Sequence, residues 1–170
     1  TLSSAASDVY KRQISRIEQA IQKNLCSSST IGKFPESLRS AIEYSVFPGG
    51  ARIRPTILIS VAKACGDDMP EITDAAGSAL EMIHCASLVH DDLPCFDDGD
   101  TRRGKPTVHK AYGENTAVLA GDSLIINAFN CLASVSKYSH TRSANLMLCL
   151  SKYAGSVSYT HLRAHETTEH

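Results

Sequence analysis

The sequence predicts an all-α protein of helices packed side by side. Three observations carry this: apolar residues recur at spacings of three and four over six stretches, Pro or Gly punctuates several of their ends, and no strand-like alternation lasts more than a few positions. The first stretch is Ile14 to Leu25, with Ile14, Ile17, Ile21 and Leu25 on one face. A Ser-rich loop, Cys26 to Gly32, follows. Pro35 to Phe47 repeats the pattern with Leu38, Ala41, Ile42 and Val46, and Pro48-Gly49-Gly50 stops it. Arg54-Pro55 opens the next helix, Pro being tolerated in a first turn, and Gly66 ends it after Cys65. Pro70 to about Leu93, Asn115 to about Val135 and Thr141 to Ala154 complete the set.

Composition narrows the function. The chain has 170 residues, 42% hydrophobic and 21% charged, with a formal net charge of -1, enough for one domain with a real core. Near-neutral charge gives no broad field to attract nucleic acid or an anionic membrane, so any anion binding is local. The six cysteines (Cys26, Cys65, Cys85, Cys95, Cys131, Cys149) form no CxxC pair, and they are read as reduced, mostly buried small apolar residues. No apolar run is read as reaching the roughly 18 residues of a membrane span. With no signal peptide evident, the expected location is cytoplasmic.

Both ends read as foreign. Ser3 to Gln13 and Val157 to Thr167 resemble translated sequencing adapters, so residues 1–13 and 156–170 are taken as non-native tails and 14–155 as the genuine segment. His161, His165 and His170 leave the functional argument with the tail.

The chemistry concentrates between residues 84 and 109, which hold His84, His90, Asp91, Asp92, Asp97, Asp98, Asp100, Arg102, Arg103, Lys105 and His109. A charged, solvated loop is the plain account of such a run. Its order argues for more: carboxylates first, then a basic pair, as suits a polyanion held through divalent cations on one side and guanidinium forks on the other. On an ideal helix Asp97 would lie roughly 240° around the axis from Asp91, and Pro94 is read as the break that swings Asp97 back. His84, seven residues before Asp91, shares its face about 10 Å along the axis. A second element, Gly49-Gly50-Ala51-Arg52-Ile53-Arg54-Pro55, sets two arginines before a helix start, where free N–H groups favour an anion.

GGARIRP, EMIHCASLVHDDLPCFDDGDTRRGKPTVH and GENTAVLAGDSL together resemble the trans-isoprenyl diphosphate synthases of the farnesyl and geranylgeranyl diphosphate type, over most of Ile14 to Val135. The resemblance implies the N-terminal, incomplete part of an all-α isoprenoid-synthase bundle around a deep apolar cleft, and head-to-tail condensation of isopentenyl diphosphate with an allylic diphosphate. It implies Mg²⁺ held by Asp91 and Asp97 with Asp92 in support. Arg102 would then bind the allylic diphosphate, and Arg103, Arg54 and His84 the isopentenyl diphosphate, with Lys105 and Arg52 as further diphosphate contacts. Relatives of this kind are usually homodimers. Small Ala86 and Ser87, just before the first aspartate, favour a C20 over a C15 product.

Two departures stand out. Ala51 occupies the place of a lysine usual in the family, with Arg52 or Arg54 expected to compensate, and the second aspartate-rich motif is missing. The chain as given is therefore expected to be inactive, as a fragment of an active enzyme. The alternative is a non-catalytic regulatory subunit of a heteromeric synthase.

Overall fold

The structure, a computed structural model, describes residues 2–26 and 35–155. Seven α-helices follow in order: α1 (Leu2–Cys26), α2 (Glu36–Val46), α3 (Ile53–Ala64), α4 (Pro70–Asp91), α5 (Val108–Tyr112), α6 (Glu114–Ser134) and α7 (His140–Ala154). Between α4 and α5 lies a short antiparallel hairpin of β1 (Thr101–Arg102) and β2 (Lys105–Pro106), with Thr101 opposite Pro106 and Arg102 opposite Lys105.

The centre of the bundle is the pair α4 and α6, with α1 and α3 against α4, and α2, α5 and α7 against α6. Small residues permit this close pairing. Helix α6 buries Ala117, Ala120, Gly121, Leu124 and Ala128 at spacings of one to four, and α4 buries Ala75, Gly77, Ser78, Ala79, Met82, Cys85, Ala86 and Val89. Ile17, Ile21, Ile42, Val46 and Ile59 fill the core around them, each such side chain contributing about 1.5–3 kcal/mol on burial. Pro70 sits in the first turn of α4, and Ser139 caps α7 by accepting from the Arg142 amide at 3.3 Å.

The six predicted helices are all present, with five differences. Helix α1 begins at Leu2, because the stretch before Ile14 contains no Pro or Gly to stop it. The hairpin and α5 carry too few residues for a periodic signal. The hairpin turn, Arg103-Gly104, has φ of 53° and 76°, the positive pair that a two-residue I′ connection needs. Helix α6 with the 3-10 turn after it spans 24 residues, Glu114–Lys137, and by length and composition passes as a membrane span. That corrects the expectation that no run is long enough, although this same helix is the central strut of the bundle. Finally, Cys85 and Cys131 are buried but Cys65, Cys95 and Cys149 are exposed, since these three lie at a helix end, in a turn and on an outer helix face. The Ser-rich loop lies almost wholly outside the described residues.

Candidate active site

Helix α4 ends at Asp91, and the chain then doubles back. The Asp97 amide donates to the Asp91 carbonyl at 2.9 Å, the Asp98 amide to Leu93 O at 3.1 Å and the Gly99 amide to Asp92 O at 3.2 Å. Asp98 takes a left-handed backbone, φ 46°, to complete the reversal. Asp97 is thereby returned to the end of the helix that carries Asp91, the turn the sequence attributes to Pro94. Asp97 is exposed and Asp91 half-buried.

Asp92, turned inward and 5% exposed, is held by Arg102 in a bidentate pair, with Nε and Nη2 donating to the two carboxylate oxygens at 2.7 Å each. That hydrogen bonding, reinforced by the charges of Asp92, Asp91 and Asp97, raises the Arg102 pKa against the opposing effect of burial. Only two of its five N–H groups are spent on Asp92, and its side chain remains 37% exposed.

A cationic side adjoins this anionic one. Arg54 Nη1 lies 3.2 Å from His84 Nε2. A guanidinium only donates, so Nε2 accepts and the imidazole proton sits on Nδ1. Burial, then the positive charges of Arg54, Arg103 and Arg102, push the His84 pKa down against the pull of Glu81. Arg103, at the hairpin tip, lies over Gly50, where an added Cβ would come within 2.9 Å of its Nη2. Gly50 is thus small so that the arginine can lie against the loop backbone. Half-buried residues Leu80, Ile83, His84, Ser87, Leu88 and Asp91 form one continuous stripe along α4.

Not every expected residue reaches this face. Arg52 does not: its side chain has no exposure and donates to Glu18 Oε1 at 2.7 Å, Glu81 Oε1 at 2.7 Å and Val46 O at 2.9 Å. It cannot replace the lysine missing at Ala51, because its donors already satisfy two carboxylates and a helix-end carbonyl. Lys105 is likewise committed, its Nζ donating to Phe47 O at 3.0 Å and Tyr44 O at 3.3 Å and lying 4.0 Å from the Tyr44 ring centroid. Burial and the neighbouring Arg103 lower its pKa. Ala86 is 1% exposed within the core, whereas Ser87 lies on the open stripe and donates to His84 O at 2.9 Å. A cavity of about 40 Å³ lined by Tyr44, Cys85, Val89, Asp92 and Arg102 lies beside the site, far smaller than a ligand pocket of about 300–1,000 Å³.

Several residues to which the sequence reading gave no role also shape the site. His90, just before Asp91, seats its ring against Gly121 of α6, and its buried Nε2 reaches Asp122 Oδ1 only at 3.5 Å. Thr107 Oγ1 donates to Gly99 O at 2.7 Å and so accepts from His109 Nδ1 at 3.1 Å, bracing the aspartate turn from behind. Glu81 carried a signal: a carboxylate among the buried positions of α4 needs a buried cation.

Asp91 and Asp97 offer hard oxygen donors at a turn open to solvent, a set that suits Mg²⁺, which completes its shell with water and substrate oxygens. No group of three His, Cys, Asp or Glu among the described residues forms a protein-only metal cluster.

These features define an all-α protein that gathers carboxylates and guanidinium groups on one polar face at the end of its central helix. A polyprenyl synthetase family model matches residues 35–159, and the chain belongs to that family. It is 59% identical over 140 residues to a geranylgeranyl diphosphate synthase of Rhodobacter capsulatus, covering 82% of this chain and 48% of that protein. A farnesyl diphosphate synthase of Bacillus subtilis is 51% identical over 104 residues, covering 59% of this chain and 33% of that protein. Among solved structures, a geranyltransferase from Legionella pneumophila superposes with a TM-score of 0.87 at 32% identity, over 99% of this chain and 59% of its own. The chain spans about half the length of the curated relatives it matches.

Proposed function

We propose that this chain is the N-terminal part of a prenyltransferase that condenses isopentenyl diphosphate head-to-tail with an allylic diphosphate, giving a short-chain product, C20 in preference to C15. The observation that carries the reading is the return of Asp97 to Asp91 beside a paired Arg102, with Arg54, His84 and Arg103 alongside. The synthases named above support it. Residues 14–155 are read as native and the flanking tails as adapter-derived; the protein acts in the cytoplasm, and its full-length form is a homodimer.

Asp91 and Asp97 would hold Mg²⁺, with Asp92 steadying Arg102 beside them. Bound there, Mg²⁺ supplies Lewis-acid neutralisation of the charge that develops on a departing diphosphate. Arg102 receives the allylic diphosphate on its open edge, and two adjacent guanidinium groups can fork onto separate phosphate oxygens. Arg54 and Arg103 receive the second diphosphate, and neutral His84 orients Arg54. In the full-length protein, apolar helices closing over the site would exclude water that quenches an allylic cation.

Isothermal titration of this chain with inorganic pyrophosphate and MgCl₂ is expected to show Mg²⁺-dependent binding. Asp91→Asn and Asp97→Asn should each weaken it about tenfold or more. Metal-independent binding, or binding unaffected by both substitutions, would sink the reading. In a full-length version, Ala86→Tyr should shorten the product.

Ala51, with Arg52 internally committed, favours a second reading: a non-catalytic subunit that tunes a partner synthase. Condensation by the full-length protein alone would exclude it.

A further inference from the structure

Two rungs join the entry to α3, its preceding residue and its first turn, to helix α4. Arg52 bonds Glu81, and two residues on, Arg54 meets His84, three residues further along α4. The lower rung is wholly interior: the Arg52 side chain has no exposure and Glu81 has 3%. Arg52 also reaches Glu18 of α1 through Nε and Nη2, at 2.7 and 3.3 Å, and the last carbonyl of α2 through Val46 O. One side chain thus ties α1, α2 and α4 to a single point of the loop. Burial opposes its charge, but hydrogen bonds and attraction from Glu18 and Glu81 outweigh that and leave its pKa raised.

The local backbone is shaped around this clamp. Arg52 adopts a left-handed conformation, φ 50°, which a non-glycine residue holds only where its surroundings fix it. The Arg52 guanidinium fills the space that a Cβ on Gly49 would occupy, and it lies 5.6 Å from the Phe47 ring centroid. None of its hydrogen bonds points toward the Arg54–His84 face.

We propose that Arg52 is a positioning residue: its interior clamp on Glu18, Glu81 and Val46 sets the register of the 49–52 loop and the first turn of α3 against α4, and so places Arg54 on His84 for diphosphate binding. The clamp needs a planar fork that spans three acceptors in different directions, which lysine lacks. This inference rests on the diphosphate-binding reading above, and the test separates the two.

Replacing a buried ion pair with apolar residues of similar volume often preserves stability. Arg52→Met combined with Glu81→Leu is therefore expected to keep the helical circular dichroism signal and its melting temperature. Affinity for inorganic pyrophosphate in MgCl₂ should nevertheless fall about tenfold, the scale on which outer supporting contacts act. The ¹⁵N and ¹³C resonances of the His84 ring should move away from their wild-type positions without ligand. Arg52→Lys should show the same losses.

Wild-type pyrophosphate affinity and wild-type His84 resonances in either folded variant would overturn the proposal. Unfolding of both variants would overturn it too, since Arg52 would then serve stability alone. If the wild-type chain bound no pyrophosphate, the diphosphate reading would fall, while the His84 resonances would still decide whether Arg52 places that ring.

Discussion

A neutral His84 that accepts from Arg54 makes the cationic side of the site sensitive to acid. Its pKa is lowered by burial and by the neighbouring guanidinium groups. The folded state therefore resists protonation that the unfolded chain accepts near the usual histidine value of about 6.5. The contribution of this group to stability is full above that value and is lost as pH falls from it through the lower folded-state pKa. Melting temperatures followed from pH 7.5 to 5.5 should fall less steeply for His84→Asn than for the wild type. Equal slopes would show that the imidazole is not what acid acts upon. At the same scale, the pattern of carboxylates followed by arginines was legible because those residue types have few other reasons to gather at a helix end. Arg52 was misread because nothing in a lone GGARIRP motif tells an outward arginine from an inward one. The signal lay 29 residues away, in the carboxylate of Glu81 on a buried helix face.

At the scale of elements, α4 is held by small residues of α6, and its last turn depends on one of them. A Cβ on Gly121 would fall on the imidazole of His90, immediately before Asp91. Gly121→Ala should displace that ring and cost about 1–3 kcal/mol, the usual penalty of overpacking a well-filled interior. Chemical denaturation measures that loss, and an unchanged or increased stability would show that the ring has room to move. The long helices were legible because a 3.6-residue period persists over helices of 11 to 22 residues, while the first half of α1 was not. The hairpin and α5 were not, since two- and five-residue elements hold no period, and α5 is defined by tertiary packing against α6.

At the scale of the whole molecule, the bundle leaves apolar faces uncovered. Ile53, Ile57 and Val61 form an exposed stripe on α3, and Leu119 and Ile126 on α6 and Leu148 and Tyr153 on α7 are also exposed. A helical period in sequence marks which face is apolar, and it says nothing of how many partners close over that face.

The turn that returns Asp97 to Asp91 also carries Cys95, exposed two residues before Asp97. Burial pushes the thiols of Cys85 and Cys131 up to about 11 and about 12, so both are poor nucleophiles at neutral pH. Alkylation with iodoacetamide should therefore fall on Cys65, Cys95 and Cys149 among the described cysteines. Pyrophosphate with Mg²⁺ should slow the reaction at Cys95 while leaving Cys65 and Cys149 at their original rates, and equal rates at all three would place the ligand elsewhere. The molecule thus holds a chemical clock within its own aspartate turn.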